Sequence, residues 1–139
     1  MNIKPQAVAV WKGSGKEGTG HLSTRSNALQ EAPYTFKSRF EGGVGTTPEE
    51  LVAAAHAGCF TMKLAFEIGA AGFVPDSLST NCSVKFENGA VVASTLHVTG
   101  IVPNMTDEKF QELIQEAGKN CPISKLLNAE IIVSGTVAV

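Results

Sequence analysis

Three cysteines, at positions 59, 82 and 121, are the residues of this chain best suited to chemistry. A thiol attacks as its thiolate, and free cysteine titrates near ~8.5, so a reactive one needs a nearby charge or a helix N-terminus. Cys82 falls on the apolar side of an alternating run (Leu78, Thr80, Cys82, Val84, Phe86), where cysteine behaves as a small buried hydrophobe. Cys121 precedes Pro122, and Asn120-Cys121-Pro122 reads as the start of a short helix through Leu127. That helix N-terminus offers Cys121 some activation. Cys59 sits about eleven residues inside a long predicted helix, beyond the reach of that helix's own dipole. Its stabilising charge must come from a side chain elsewhere. His56, three residues earlier, and Arg39 are the candidates. Arginine stays charged at every accessible pH and is the better thiolate partner; histidine helps only when protonated.

Composition narrows the setting. The 139 residues suggest one domain, 1–139, long enough to bury a core without a disulfide or metal staple. Eleven basic and thirteen acidic residues leave a net charge of −2, which lacks the footprint of a nucleic-acid binder. The first ten residues lack a secretory apolar segment, so the expected location is the cytoplasm. An odd cysteine count there argues against a disulfide framework. No C-x-x-C occurs and His21, His56 and His97 are dispersed, so no metal site is expected. Gly13-Ser14-Gly15-Lys16-Glu17-Gly18 matches G-x-G-x-x-G, but β-forming residues follow where a phosphate-binding helix should start; it reads as a hairpin loop.

The elements that must position these groups follow from pattern. Ala7–Lys12, residues 20–26 and the run 34–40 (YTFKSRF) suit strands, the last placing Tyr34, Phe36, Ser38 and Phe40 on one face. Thr47-Pro48-Glu49-Glu50 combines an N-cap threonine, proline at the first helical position and glutamate at N3, predicting a helix from Pro48 to about Gly69. Its middle is apolar nearly all round, which suggests a helix buried in the middle of a protein or of an assembly. A membrane span is disfavoured by the interrupting His56, Lys63 and Glu67. At 100° per residue Glu49, His56, Lys63 and Glu67 form one stripe, whose plain reading is the wet side of a core helix. Glu49 precedes Cys59 by ten residues, about 15 Å along the axis, so it cannot touch its own chain's Cys59. It can orient Arg39 or approach the Cys59 of a second subunit. Residues 77–87 alternate as a strand, Asn88-Gly89 turns into a partner strand over 91–102, Thr106 caps a helix, and 131–139 closes as a strand. The order β-β-β-α-β-β-α-α-β is an α+β fold.

These residues carry a resemblance. Phe40-Glu41-Gly42, Gly45-Thr46-Thr47-Pro48-Glu49-Glu50-Leu51 and Ala54-Ala55-His56-Ala57-Gly58-Cys59-Phe60, followed by Asn120-Cys121-Pro122-Ile123-Ser124, resemble the osmotically inducible protein C (OsmC) family. The stretch 34–41 is more similar to its OsmC branch than to its organic hydroperoxide resistance (Ohr) branch. The resemblance implies an OsmC-like fold of antiparallel sheets around a long buried helix, in an intertwined homodimer with interfacial active sites. It implies thiol-dependent reduction of organic hydroperoxides, using an external dithiol of lipoyl or other type, and no cofactor. Carried over, Cys59 matches the peroxidatic cysteine, Cys121 the resolving one and Glu49 the glutamate of the Pro-Glu motif. Arg39 matches the active-site arginine, Arg25 being the only other arginine in the chain. Phe36, Phe40, Phe60 and Met62 then offer apolar surroundings for an alkyl tail. Two rivals are a non-enzymatic dimer that binds an apolar ligand or senses oxidants, and a thiol hydrolase pairing Cys59 with His56. The second is weak, because three residues along one helix poorly align a nucleophile with its base.

Overall fold

The β-forming N-terminal runs pair as a meander. The structure, a computed structural model, describes residues 2–139. By its internal contacts the chain divides into two units, Met1–Leu51 and Val52–Val139. In the first, β1 (Ala7–Lys12), β2 (Thr19–Thr24) and β3 (Ala32–Tyr34) form an antiparallel sheet in that order. Lys12 pairs with Thr19, so the glycine-rich segment between them is a hairpin loop, as expected. Ser14 closes it: its carbonyl accepts from Gly18 N–H at 2.8 Å and from the Trp11 indole at 3.0 Å.

The predicted strand over 34–40 does not form. β3 stops at Tyr34, and Phe36–Phe40 is a short helix, α1. Thr35 is its N-cap: Ser38 N–H donates to Thr35 Oγ1 at 2.9 Å, and Thr35 N–H donates to Ser38 Oγ at 2.8 Å. This reciprocal side-chain to backbone pairing satisfies two helix-start donors and outweighs the β-propensity of the aromatic residues. The helical turn stacks Phe36 on Phe40, ring centres 5.0 Å apart, instead of spreading them along a strand face.

Helix α2 spans Pro48–Ala70, within a residue of expectation, with Glu50 N–H donating to the Thr47 hydroxyl at 2.9 Å. The capping box is half made, since the Glu50 carboxylate instead accepts from Thr46 Oγ1. By length and composition α2 is able to cross a membrane. However, one face is committed to a protein core: His56, Phe60, Leu64 and Ile68, at four-residue spacing, are fully buried. The opposite face is open in the single chain, with Met62 65% and Phe66 70% exposed.

The second unit builds that core. β4 (Ser77–Glu87) and β5 (Ala90–Ile101) form a long antiparallel hairpin. Asn88 and Gly89 turn it with φ of 52° and 81°, the two left-handed residues that a tight hairpin requires. α3 (Asp107–Asn120), capped by Thr106, and α4 (Pro122–Leu126) then return the chain to β6 (Glu130–Ala138). β6 pairs with β5 in parallel, giving a mixed sheet β4-β5-β6 where antiparallel sheets were expected. Two helices between β5 and β6 supply the crossover that a parallel pair needs and a tight turn cannot. Phe60, Leu64 and Ile68 meet Leu96 and Val98 of β5 and Phe110, Ile114 and Ala117 of α3 in one cluster. Each fully buried large side chain there contributes about 1.5–3 kcal/mol of transfer free energy. The fold is α+β with a long central helix, and its second unit holds two of the three cysteines on facing helical segments.

Candidate active site

The predicted site residues come together as two pairs. In the first unit the Arg39 guanidinium grips Glu49 through two parallel bonds, Nε to Oε1 at 2.9 Å and Nη2 to Oε2 at 2.8 Å. This bidentate fork is the strong form of an arginine–carboxylate contact. α1 presents Arg39, and the proline-started first turn of α2 presents Glu49. Hydrogen bonding to Glu49 raises the guanidinium pKa despite partial desolvation, so Arg39 is a permanent cation. It also lies over the Phe40 ring, 4.9 Å from its centre. Beside it is a cavity of about 210 Å³ lined by Trp11, Tyr34, Phe36, Arg39 and Phe40. Arg25, the other arginine, follows β2 and is exposed.

In the second unit the thiols of Cys59 on α2 and of Cys121 lie close enough to act on each other. All three thiols are free; Cys121 is fully buried and Cys59 half-buried. Burial and the Cys121 contact push the Cys59 thiol up from its ordinary value. Two groups pull the other way: the backbone amide of Ile123 and the Lys63 charge both favour its thiolate. Ile123 lies in the first turn of the short α4, so a backbone amide of that segment favours the thiolate of Cys59. Cys121 caps α4 by position without a side-chain hydrogen bond. Cys59 is therefore served by a helix other than its own, which spacing along α2 could not reveal.

His56 corrects the wet-stripe reading. It is completely buried, with Nδ1 2.6 Å from Ser94 Oγ and Nε2 2.7 Å from Ser124 Oγ. Both ring nitrogens are thus occupied by serine hydroxyls, which leaves neither to act as a base for Cys59 and removes the ground for the hydrolase rival. Lys63 and Glu67, farther along the stripe, do form the expected pair at 3.4 Å. Cys82 packs against the core cluster, as expected, but its sulfur also lies 3.3 Å from Ser94 Oγ. Phe60 is core and is not available to receive a ligand, whereas Phe36 and Phe40 border the Arg39 cavity.

Ser94, Ser124, Lys63 and the Ile123 amide are participants that sequence reasoning missed. A signal existed for two of them. Ser94 shares strand parity with buried Leu96 and Val98, and Ser124 follows Cys121 by three residues as His56 precedes Cys59 by three.

Burial lowers the His56 pKa below its ordinary 6.5. The unfolded chain then takes up a proton near pH ~6.5 that the folded chain refuses until lower pH. The histidine's contribution to stability is complete above that value and is lost as pH falls from there toward the folded pKa. Urea unfolding at pH 7.5 and 5.5 should show a loss that His56→Gln reduces; an equal loss in both proteins would contradict it.

Residues 40–134 match the family model for OsmC-like protein. The chain is 43% identical over 135 residues to Peroxiredoxin OsmC of Escherichia coli strain K12, covering 94% of each chain. It is 29% identical over 116 residues to the organic hydroperoxide resistance protein OhrB of Bacillus subtilis strain 168, covering 81% of this chain and 84% of that one. Among solved structures, an OsmC-like protein from Mycoplasma pneumoniae superposes over 100% of both chains with a TM-score of 0.77 at 16% identity, a likeness of fold. The matched span contains both cysteine motifs and the Arg39–Glu49 fork except for the arginine itself, one residue outside it. The chain belongs to the OsmC family, on the side of its OsmC rather than its Ohr branch.

Proposed function

We propose that this protein is a cysteine-based peroxidase that reduces organic hydroperoxides, and hydrogen peroxide less well, in defence against oxidative stress. The observation that carries this reading is the contact between Cys59 and Cys121 in a chain of this family. The Cys59 thiolate attacks the distal peroxide oxygen, the O–O bond breaks, and the alkoxide leaves as the alcohol after taking a proton. Cys59 becomes a sulfenic acid. The Cys121 sulfur then displaces that hydroxyl, which departs as water with the thiol proton, and a Cys59–Cys121 disulfide forms. An external dithiol, of lipoyl or other type, returns both thiols by exchange.

Arg39 and Glu49 complete the proposed site. A permanent cation fixed by a bidentate carboxylate suits both tasks required of it, holding a thiolate and hydrogen-bonding a peroxide. Cys59 needs such a group, since its burial and its Cys121 contact favour the neutral thiol. The aromatic cavity at Arg39 gives an alkyl tail a surface to lie on. The proposed assembly is an intertwined homodimer acting in the cytoplasm, with each chain a single OsmC-like domain. The family match across residues 40–134 supports the domain reading, because it spans both units. The open apolar face of α2, with Met62 and Phe66, supports the dimer, because exposed apolar patches mark association surfaces.

Purified protein supplied with a dithiol should consume an alkyl hydroperoxide over many turnovers, faster than hydrogen peroxide, and should sediment as a dimer. Oxidation that stops after one equivalent, even with fresh dithiol, would favour the redox-sensing alternative and sink the enzymatic one.

A further inference from the structure

The two cysteines are one rung of a two-rung contact. His56 precedes Cys59 by three residues on α2, and Ser124 follows Cys121 by three residues on α4. Residues three apart on a helix are surface neighbours, so each segment presents its two groups one turn apart. The rungs are the Cys59–Cys121 thiol contact and the His56 Nε2 to Ser124 Oγ bond of 2.7 Å. The other face of the ring is tied to β5, with Nδ1 2.6 Å from Ser94 Oγ. Ser94, Ser124 and His56 are all buried, and no peroxide chemistry has been assigned to any of them.

We propose that His56 is a positioning residue: by binding Ser94 and Ser124 together it clamps α4 against α2 and so holds Cys121 and the Ile123 amide on Cys59. This rests on the reading of the cysteines as a redox couple. α4 has five residues and cannot be stable alone, because a helix that short does not repay its nucleation. Its Pro122, Lys125 and Leu126 are exposed, leaving Cys121, Ile123 and Ser124 to hold it in place. Of these, Ser124 contributes a directional side-chain bond to α2, 2.7 Å from its hydroxyl to His56 Nε2. A disulfide tolerates Cα separations of only about 4.4–6.8 Å, so a small drift of α4 takes Cys121 out of reach. The neutral imidazole suits this role. One nitrogen donates and the other accepts, and a serine hydroxyl can answer either. Two occupied nitrogens also spare the core an unsatisfied buried polar atom.

The test uses full-length protein equilibrated with oxidised and reduced dithiothreitol, followed by thiol trapping and mass measurement of the Cys59–Cys121 disulfide. Oxidised dithiothreitol takes two electrons and two protons from the thiols, so no peroxide is involved. Ser124→Ala and His56→Asn should lower the equilibrium constant for forming the disulfide about fivefold to tenfold, the size of one net hydrogen bond. His56→Gln, whose longer amide reaches the Nε2 position, should stay within about twofold of wild type. Circular dichroism establishes that each variant is folded, and if Ser124→Ala is not, the Asn and Gln pair decides alone. Equal values for Asn and Gln, or a wild-type value for Ser124→Ala, would overturn the proposal. The expected ordering in a protein that consumes no peroxide supports the clamp and counts against the peroxidase reading alone. An active wild type with Asn equal to Gln does the reverse.

Discussion

Cys59→Ser should abolish peroxide consumption, with turnover falling on the order of 10³-fold or more, while Cys121→Ser should lose turnover by a different route. A serine hydroxyl at position 59 cannot supply a comparable nucleophile at neutral pH, and the neighbouring Cys121 thiol is fully buried. Cys121→Ser keeps the attacking thiol. It should therefore complete one oxidation and then, lacking a thiol to condense with, progress from sulfenic to sulfinic acid. Peroxide assays and intact-protein mass spectrometry separate the two outcomes. Undiminished turnover by Cys59→Ser would sink the mechanism, and a Cys59–Cys82 bridge in oxidised wild type would refute the pairing. Cys82 is expected to remain a thiol, since it packs into the core cluster beside Ser94.

Arg39→Met should reduce kcat/KM at neutral pH by about 10²–10³-fold, the loss typical of removing one preorganised charge from a reacting site. The reasoning starts from Cys59. Desolvation and the Cys121 contact raise its pKa, and the Ile123 N–H and Lys63 only partly oppose them. A raised pKa leaves less thiolate at pH 7, so the reaction rate should climb with pH until the thiol has titrated. A working peroxidase needs a further cation, and the Arg39–Glu49 fork is the one proposed. Arg39→Met should accordingly move the midpoint of Cys59 alkylation to higher pH. Glu49→Gln should cost less, about tenfold, because the amide keeps one acceptor but loses the charge that fixes the guanidinium. An alkylation midpoint unchanged by Arg39→Met would remove the arginine from the thiolate's stabilisation.

Much of this arrangement is legible in residue order, wherever one local rule dominates. The Thr47-Pro48 start of α2, the Asn88-Gly89 turn and the Thr106 cap fall where predicted, because each depends on a few adjacent residues. The run 34–40 misleads for the same reason. Its alternating aromatics signal a strand, yet Thr35 and Ser38, three apart, exchange hydrogen bonds and close a helical turn. That signal was equally local and outweighs the aromatic pattern. The parallel pairing of β6 is of another kind. Nothing within residues 130–138 says which side or direction of β5 they will join; the α3–α4 crossover decides it.

At the site the division is sharper. Residue types and motifs alone singled out the groups proposed to carry chemistry: two cysteines in separate motifs, an arginine, and a glutamate behind a proline. They also determined the family. Only tertiary structure decided how those groups are tuned. His56 lies on a stripe with charged residues, yet it is buried, because Ser94 and Ser124, 38 and 68 residues away, satisfy both its nitrogens. Cys59 lies too deep in α2 to feel that helix's N-terminus, yet the Ile123 amide at the start of α4 favours its thiolate. The reason is physical: a nucleophile's identity belongs to its own side chain, but its pKa is set by desolvation, charges and hydrogen bonds from whatever folding brings beside it.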